Sequence, residues 1–384
     1  MFDIFVPAKC DTHLEESKEK IFLTKCPAAM VMTPEGKKTN RGFFGRDRTQ
    51  GIILKKTGIA GVKETNMKDK DSLRFIDALQ NNDMETIVQI PKADLHNHFV
   101  LGGCRRYIKE MTGIEIPCCD GILDSMEQMH QWNNRYIGDR FDGSSMRRLL
   151  IDAAFVQAKK DGITVLEIGE DVWGLGEYFH QDIRQLIDAF ESARQRFAPD
   201  LRLRLQIGLS RHCPADYLLE CLEHFWGHRE FYSIDLYGDE TAQPIENFVP
   251  VYRKAKENGL RLKAHIGEWG TALDIIKGVE LLELDEVQHG IAAADSREVM
   301  EFLAKNQIRL NITPTSNIKL GRTKNLKDHP IGKLYRAGVD VTINSDDILI
   351  FDSDVSKEYV RLYQSGCLTA GELDNIRISG LKDI

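Results

Sequence analysis

A regular alternation of short apolar segments with longer amphipathic ones, beginning at Ala93, constrains this chain more than any other feature. The short segments have the length and pattern of strands, and the longer ones place apolar residues at helical spacing. Strands that alternate with helices pair in parallel through right-handed crossovers, and eight of them close into a barrel. The sequence therefore predicts an α/β fold, a (β/α)8 TIM barrel. The predicted strands are Ala93–Phe99, Gly162–Gly169, Leu201–Ser210, Phe231–Gly238, Leu260–Gly267, Asp285–Gly290, Ile308–Thr315 and Val339–Asp346. The clearest predicted helices are Met146–Lys160, Phe179–Arg196, Ile245–Asn258, Leu273–Leu282 and Arg297–Asn306.

Two parts of the chain interrupt or precede this rhythm. Residues 1–88 are predicted to form an N-terminal extension, with loops or a hairpin over 34–58 and then a helix over 71–88 that Asp71 caps. Residues 89–384 are the predicted barrel domain, and residues 101–161 form an insertion after its first strand. An insertion at that position lies on the face that carries barrel active sites. A lid and a helical pair against the barrel wall are equally good interpretations of it.

Composition and charge narrow the class of protein. The chain has 384 residues, of which 42% are hydrophobic and 29% charged, as in ordinary globular enzymes. Its net charge of -8 gives no drive towards nucleic acid or anionic membranes. We expect no membrane span, no secretory leader and, from eight scattered cysteines without a Cys-x-x-Cys pair, a cytoplasmic location. The basic run at 34–58 is interpreted as a solvated face or a contact between subunits of a homo-oligomer.

Polar side chains occur at the ends of predicted strands, where a barrel would otherwise have Val, Ile or Leu. They are His96, His98, His265, His289, Asp346 and Asp347. The carboxyl ends of barrel strands converge on one mouth, so these residues are expected to form one cluster. Imidazoles and a carboxylate are zinc ligands, and burying them without a partner would be costly.

A zinc site with an open position lowers the pKa of a water molecule to about 7. From the residues alone, either His289 or Asp346 could hold and deprotonate that water. Glu268, three residues after His265, is placed to donate a proton to a ring nitrogen. The alternative for Glu268 is a carboxylate that stabilises the N-terminus of the helix that follows.

Seven segments, in the correct order, resemble the motifs of the adenosine/AMP deaminase family of the metal-dependent amidohydrolase superfamily. They are Pro91–His98, Ser233–Glu240, Ala264–Glu268, Gln288–Gly290, Thr313–Asn317, His329–Ile331 and Asn344–Asp347. The resemblance extends from about residue 71 to the end of the chain. It is specific because the whole series occurs in order.

The resemblance implies the hydrolytic deamination of an adenine-type purine nucleoside, adenosine or a 5′-modified adenosine, to an inosine-type product and ammonia. It implies one zinc per chain, bound by His96, His98, His265 and Asp346. The implied catalytic residues are Glu268, which protonates the purine N1, His289, which positions the water, and Asp346. The implied substrate contacts are Gly238 at N3, Asp347 at N7, and His98.

Several positions depart from the family pattern. Val100 replaces an Asp that binds the ribose 5′-hydroxyl, which leaves AMP, adenine and other aminopurines as alternative substrates, with Arg105 and Arg106 close by for a phosphate. Gln288 replaces a Gly, and Thr313 replaces a Cys. Two other functions stay open, an amidohydrolase that acts on an amide or ester and a purine-binding barrel without catalysis. A cytidine-deaminase site is excluded, because that site needs H-x-E with P-C-x-x-C.

Overall fold

The computed structural model describes residues 60–382, with side chains from residue 70 onwards. Eight parallel strands form one sheet in the order β1 to β8. They are β1 Lys92–Asp94, β2 Ile163–Asp171, β3 Arg202–Ser210, β4 Phe231–Tyr237, β5 Arg261–Ile266, β6 Glu286–His289, β7 Arg309–Ile312 and β8 Val341–Ile343. A parallel bridge between Asn97 and Asp346 links the two edges of the sheet just beyond β1 and β8. The predicted (β/α)8 barrel is confirmed.

Helices surround the sheet. They are α1 Ala60–Gln80, α2 Met84–Ile87, α3 Arg105–Thr112, α4 Met126–Tyr136, α5 Ser144–Lys160, α6 Gly174–Phe179, α7 Ile183–Phe197, α8 Ala215–Leu222, α9 Val249–Glu257, α10 Ala272–Leu282, α11 Arg297–Asn306, α12 Pro314–Lys319, α13 Pro330–Arg336, α14 Ile348–Phe351, α15 Val355–Ser365 and α16 Ala370–Gly380. Short 3-10 helices occur at Gly138–Phe141, Ile245–Phe248 and Ile291–Asp295. Among residues 60–382, none of the helices combines the length and the apolar character that a membrane crossing requires.

The first and last strands are shorter than predicted, because beyond their ends hydrogen bonds to side chains replace the backbone hydrogen bonds between strands. Leu95 donates its backbone N–H to Asn344 Oδ1 at 2.8 Å instead of to a strand neighbour. The Asp94 carboxylate accepts hydrogen bonds from the backbone N–H of Ser345 at 3.2 Å and from Asn97 Nδ2 at 3.0 Å. His96 and His98 therefore follow β1 rather than lying on it, and their ring centroids are 5.3 Å apart.

The helix expected over 71–88 is two helices. Asn82 adopts a left-handed φ of +55° between them, and Asp83 caps α2 through the N–H of Thr86 at 3.1 Å. Asp71 lies inside α1, so it is not a cap. Phe75 of α1 packs edge-on against Tyr359 of α15, with ring centroids 5.2 Å apart. The loops expected at 34–58 lie outside the described residues.

The insertion after β1 contains α3, α4 and α5. The buried face of α5, including Leu150, Ile151 and Phe155, belongs to the apolar core that covers the barrel. Helix α4 instead presents Met126 and Met129 to the cavity at the mouth of the barrel. The insertion therefore supplies both a wall helix and a helix that borders the cavity, and a lid function for α4 stays a prediction.

A layer of buried charge lies inside the barrel. Lys263 Nζ lies 2.7 Å from Glu167 Oε1 and 2.8 Å from Glu286 Oε2, and all three side chains are fully buried. Asn311 Nδ2 donates to the same Glu286 Oε2 at 2.7 Å. Lys263 and His265 project from the same side of β5, two residues apart, because side chains alternate along a strand. The charged layer therefore lies directly below the histidine cluster.

Candidate active site

A cavity opens at the carboxyl ends of the strands, where barrel active sites lie. Its lining residues are His98, Met126, Met129, Tyr237, Gly238, His265, Glu268, His289, Leu320, Asp346 and Asp347. Six of the residues predicted from strand ends and motifs thus share one cavity with Gly238. His96 lies immediately beside this set, with its ring centroid 4.6 Å from that of His289.

The predicted metal ligands converge. His96 Nε2 lies 3.0 Å from His265 Nε2 and 3.9 Å from Asp346 Oδ1, and His98 Nε2 lies 3.5 Å from the same Asp346 oxygen. His96, His98 and His265 form one group whose potential ligand atoms all lie within 4.8 Å of one another. His96, His289 and Asp346 form a second such group, so distance alone does not separate His289 from the ligands.

Two of these histidines face each other through lone pairs. His96 Nδ1 donates to the carbonyl oxygen of Asn311 at 3.1 Å, and His265 Nδ1 donates to the Asp235 carboxylate at 3.3 Å. Each neutral ring then carries its lone pair on Nε2. The two Nε2 atoms are 3.0 Å apart, so either a proton on one ring or a metal cation against both must separate their lone pairs. The donor set and its hydrogen-bonded outer partners fit a zinc ion.

The surroundings shift the pKa values of His96 and His265 in opposite directions. Burial lowers the pKa of His96 to about 4, so the ring stays neutral, as a metal ligand must be. Burial acts in the same direction on His265, but the charge and hydrogen bond of Asp235, together with the charge of Asp346, outweigh it and raise the pKa of His265. The site therefore attracts positive charge at the point where the two Nε2 atoms meet.

Glu268 stands next to this cluster, and its surroundings favour the protonated form of its carboxyl group. Its Oε2 lies 3.5 Å from His289 Nε2, and its side chain is only 8% exposed. Burial and then the nearby Asp346 charge raise the pKa of Glu268 to about 8. A carboxyl group that keeps its proton near neutral pH can donate it to a ring nitrogen.

The turn that carries Glu268 is held by another carboxylate. Glu240 Oε2 accepts the backbone N–H of Gly267 at 2.7 Å, and Oε1 accepts those of Glu268 and Trp269, each at 2.8 Å. Glu240 is itself buried. Three hydrogen bonds to one charged acceptor fix the backbone from which Glu268 projects.

Gly238 and Asp347, which the sequence predicts as substrate contacts, both line the cavity. Gly238 follows β4 with a φ of +97°, a conformation that a residue with a Cβ adopts only with strain. Asp347 is fully buried, and neither of its oxygens has a hydrogen-bond partner in the described part of the chain. Burial and the neighbouring Asp346 raise the pKa of Asp347 well above its usual value. Asp347 is therefore a buried polar group that needs a ligand atom.

Backbone strain occurs at two of the cluster residues. His289 has a φ of +61° and Asp346 a φ of +62°, in the left-handed region that residues with side chains rarely adopt. Such strain concentrates at functional sites, where surrounding structure holds it in place. No sequence pattern indicates it.

The structure places none of Val100, Arg105 and Arg106 at the cavity. Val100 is fully buried in the apolar core and is not one of the lining residues. Arg105 donates to the carbonyl oxygen of Leu349 at 2.7 Å and to Asp352, whereas Arg106 pairs with Glu110 on the exposed side of α3. Neither arginine lines the cavity, so neither offers a phosphate contact there.

Sequence reasoning missed several residues around the site. Asp235 and Glu240 lie within a recognised motif, but their partners are His265 of β5 and the turn that follows it. Met126 and Met129 have helical spacing in the insertion, which could have indicated a helix face over the mouth. Thr313, noted only as a departure, lies with Oγ1 3.0 Å from His289 Nδ1 and 3.4 Å from Asp346 Oδ2. Leu320 gave no signal.

The chain is similar to known proteins in both sequence and fold. Residues 149–383 match the adenosine deaminase family. A protein of Treponema pallidum (strain Nichols), provisionally named an adenosine/adenine deaminase, is 30% identical over 279 residues, which cover 73% of this chain and 93% of that protein. The fold is similar to that of adenine deaminase from Arthrobacter aurescens, with a TM-score of 0.65, 24% identity and coverage of 76% and 92%. It is equally similar to an amidohydrolase from Burkhoderia ambifaria with bound Zn, with a TM-score of 0.65, 20% identity and coverage of 78% and 86%.

Proposed function

Because the chain belongs to the adenosine deaminase family, we propose that it catalyses zinc-dependent hydrolytic removal of the 6-amino group from an adenine ring. Family membership makes it a hydrolytic deaminase. The observation that carries the choice of an aminopurine is the pairing of a protonated acid, Glu268, with the histidine and aspartate cluster in one cavity. A hydrolase that acts on an amide or ester has no use for an acid directed at a ring nitrogen.

In this proposal His96, His98, His265 and Asp346 hold one zinc ion. A bound zinc ion would lower the pKa of a water molecule to about 7 and so supply a nucleophile at neutral pH. The facing lone pairs of His96 and His265 support this assignment. The bound Zn in the Burkhoderia amidohydrolase is consistent with it.

The chain's own residues orient the ring and move the protons. Glu268 donates its proton to N1, which makes C6 more electrophilic as the water oxygen adds there. One proton of the water passes through His289 or Asp346 to the amino group, so the C6–N bond breaks and ammonia leaves. The second proton of the water returns to Glu268 as the oxygen becomes the C6 carbonyl. Gly238 offers its backbone N–H to N3, and Asp347 contacts N7, which gives that buried carboxyl a partner. His98 lines the cavity beside the reacting face.

The part of the substrate outside the purine ring would contact an apolar wall of the cavity. Apart from Gly238, Tyr237 and the polar residues already assigned, the lining residues are Met126, Met129 and Leu320, and Tyr237 uses its hydroxyl to contact Asp171. We assign adenosine or a 5′-modified adenosine as the substrate, with an apolar 5′ group favoured. Free adenine is the second candidate, since this wall offers few partners for sugar hydroxyls. AMP is disfavoured because Arg105 and Arg106 do not line the cavity.

The test is ammonia release by the full chain loaded with zinc, with adenine, adenosine, 5′-deoxyadenosine and AMP as substrates. We expect turnover of an adenine compound, one zinc per chain, a higher kcat/KM for 5′-deoxyadenosine than for adenosine, and the lowest value for AMP. No turnover of any of the four by the zinc-loaded protein would contradict the proposal.

Glu268→Gln tests the acid. We expect this variant to keep zinc and the fold but to lose turnover, because the amide has no acidic proton to give. Glu257→Gln, at the exposed end of α9, is the matched control and should retain full activity. Near-normal activity of Glu268→Gln would remove Glu268 from its proposed role.

A further inference from the structure

Asn317, in α12, connects three polar side chains around the site. Its side chain is fully buried. Asn317 Nδ2 lies 3.5 Å from Glu268 Oε1 and 3.3 Å from His289 Nδ1, whereas Oδ1 lies 3.3 Å from His329 Nε2. The Nδ2 end of the Asn317 amide therefore faces Glu268 and His289, and the Oδ1 end faces His329.

The hydrogen-bond partners of His329 determine which nitrogen carries its proton. His329 Nδ1 accepts the backbone N–H of Ile331 at 3.2 Å, and a backbone N–H can only donate. Burial lowers the pKa of His329 to about 3, so the ring is neutral. Its single hydrogen is therefore on Nε2, which donates to Asn317 Oδ1.

The orientation of the Asn317 amide follows from this donor. Since Oδ1 accepts from His329, the two hydrogens of Nδ2 point towards Glu268 and His289. His289 Nδ1 must then be an acceptor. The Thr313 hydroxyl has one hydrogen and two acceptors within reach, His289 Nδ1 at 3.0 Å and Asp346 Oδ2 at 3.4 Å, and donation to the nearer of the two agrees with this arrangement.

We propose that His329 and Asn317 are positioning residues that hold neutral His289 as the tautomer with its hydrogen on Nε2. In this tautomer His289 Nε2 has no lone pair for a metal, although His289 lies within ligand distance of His96 and Asp346. Nε2–H is also a hydrogen-bond donor, 3.5 Å from Glu268 Oε2. His289 therefore orients the water by donating to it, and Asp346 is left to accept the proton of the water.

The role in catalysis rests on the proposed function, but the tautomer does not. Histidine-labelled, zinc-loaded full chain can be studied by long-range nitrogen–proton NMR, which distinguishes a ring nitrogen with hydrogen from one without. The His289 signals are identified by their loss in His289→Gln. We expect hydrogen on Nε2 of His289 in the unaltered protein, and hydrogen on Nδ1 would overturn the proposal without any variant.

Three substitutions test the chain of hydrogen bonds from His329 through Asn317 to His289, which we call the relay. Asn317→Asp replaces the donor with an acceptor of the same shape, so His289 should shift its hydrogen to Nδ1, with kcat lower by about 100-fold and zinc retained. His329→Gln keeps a donor N–H near the position of Nε2 and should preserve the tautomer. Ser316→Ala, whose hydroxyl makes no hydrogen bond in the described chain, is the matched control.

The outcomes separate this inference from the proposed function. A His289 tautomer that stays unchanged in Asn317→Asp, or that changes equally in Ser316→Ala, would overturn the relay. The expected tautomer in a protein that deaminates no adenine compound would instead refute the proposed function and leave the relay standing.

Discussion

Glu240 offers the sharpest test of how the acid is positioned. Its carboxylate accepts three consecutive backbone N–H groups, those of Gly267, Glu268 and Trp269, at 2.7–2.8 Å. In Glu240→Gln the amide oxygen can keep two of these bonds, now to a neutral acceptor, while its NH₂ group faces the third N–H as a second donor. The substitution therefore changes hydrogen bonding with almost no change in volume.

The expected cost follows from those three bonds. A hydrogen bond to a charged group contributes about 1.5–3 kcal/mol and a neutral one about 1 kcal/mol. Losing one bond and weakening two gives a loss of about 3–7 kcal/mol in the free energy of unfolding, or roughly 4–9 °C in Tm for a chain of 384 residues. A displacement of the Glu268 carboxyl by about 1 Å would lower kcat by about 100-fold.

The assay compares kcat, KM, Tm and zinc content of Glu240→Gln with those of the unaltered chain. Zinc content should not change, because Glu240 contacts none of the proposed ligands. Glu246→Gln is the matched control: Glu246 is 47% exposed in its ion pair with Lys277, and such a pair contributes little. Unchanged kcat and Tm in Glu240→Gln would refute the argument that this carboxylate holds the turn.

Three further predictions concern other parts of the barrel. Val100→Asp places an unpaired carboxylate in the apolar core, so we expect a loss of several kcal/mol in the free energy of unfolding. We expect no rise in kcat/KM for adenosine, and a stably folded variant with a higher kcat/KM for adenosine would contradict this. Met129→Ala removes part of the apolar wall and should raise kcat/KM for adenosine relative to adenine several-fold, whereas Met111→Ala, at an exposed residue, should leave this ratio unchanged. Burial raises the pKa of Glu358 from 4.5 to about 7, so the native state loses stability as the pH rises through this window. Glu358→Gln should therefore gain up to about 3 kcal/mol relative to the unaltered chain between pH 5 and pH 8, and urea denaturation with no such pH-dependent gain would contradict the shift.

The fold was predictable because the barrel repeats one local pattern eight times. Helix α11 has the predicted bounds, and β3 differs from its predicted range by a single residue. The errors occur where side-chain hydrogen bonds replace the backbone ladder, as at Leu95, which bonds to Asn344, 249 residues further along the chain. A contact of that separation leaves no trace in a local pattern.

The site residues that could be predicted are those whose positions are set by the ends of strands. His265 and His289 lie at strand ends whose positions follow from periodicity alone. Val100 shows the limit: its place in the motif suggested a substrate contact, but its side chain points into the core. Glu240 and Asn317 could not be assigned roles, because their partners come from turns that meet only in the folded chain.

The site divides into a part held by strands and a part held by loops. His96 donates to the carbonyl oxygen of Asn311, whose amide bonds to Glu286 in the charged layer, so this proposed ligand is attached to the interior of the barrel. Glu268 and His289 instead receive their orientation from Glu240 and Asn317 outside the strands. Strand interiors are the most rigid part of such a fold, whereas loops open at lower free energy. Substitutions in the layer of Glu286 should therefore act first on zinc affinity, and substitutions at Glu240 or Asn317 should act first on kcat.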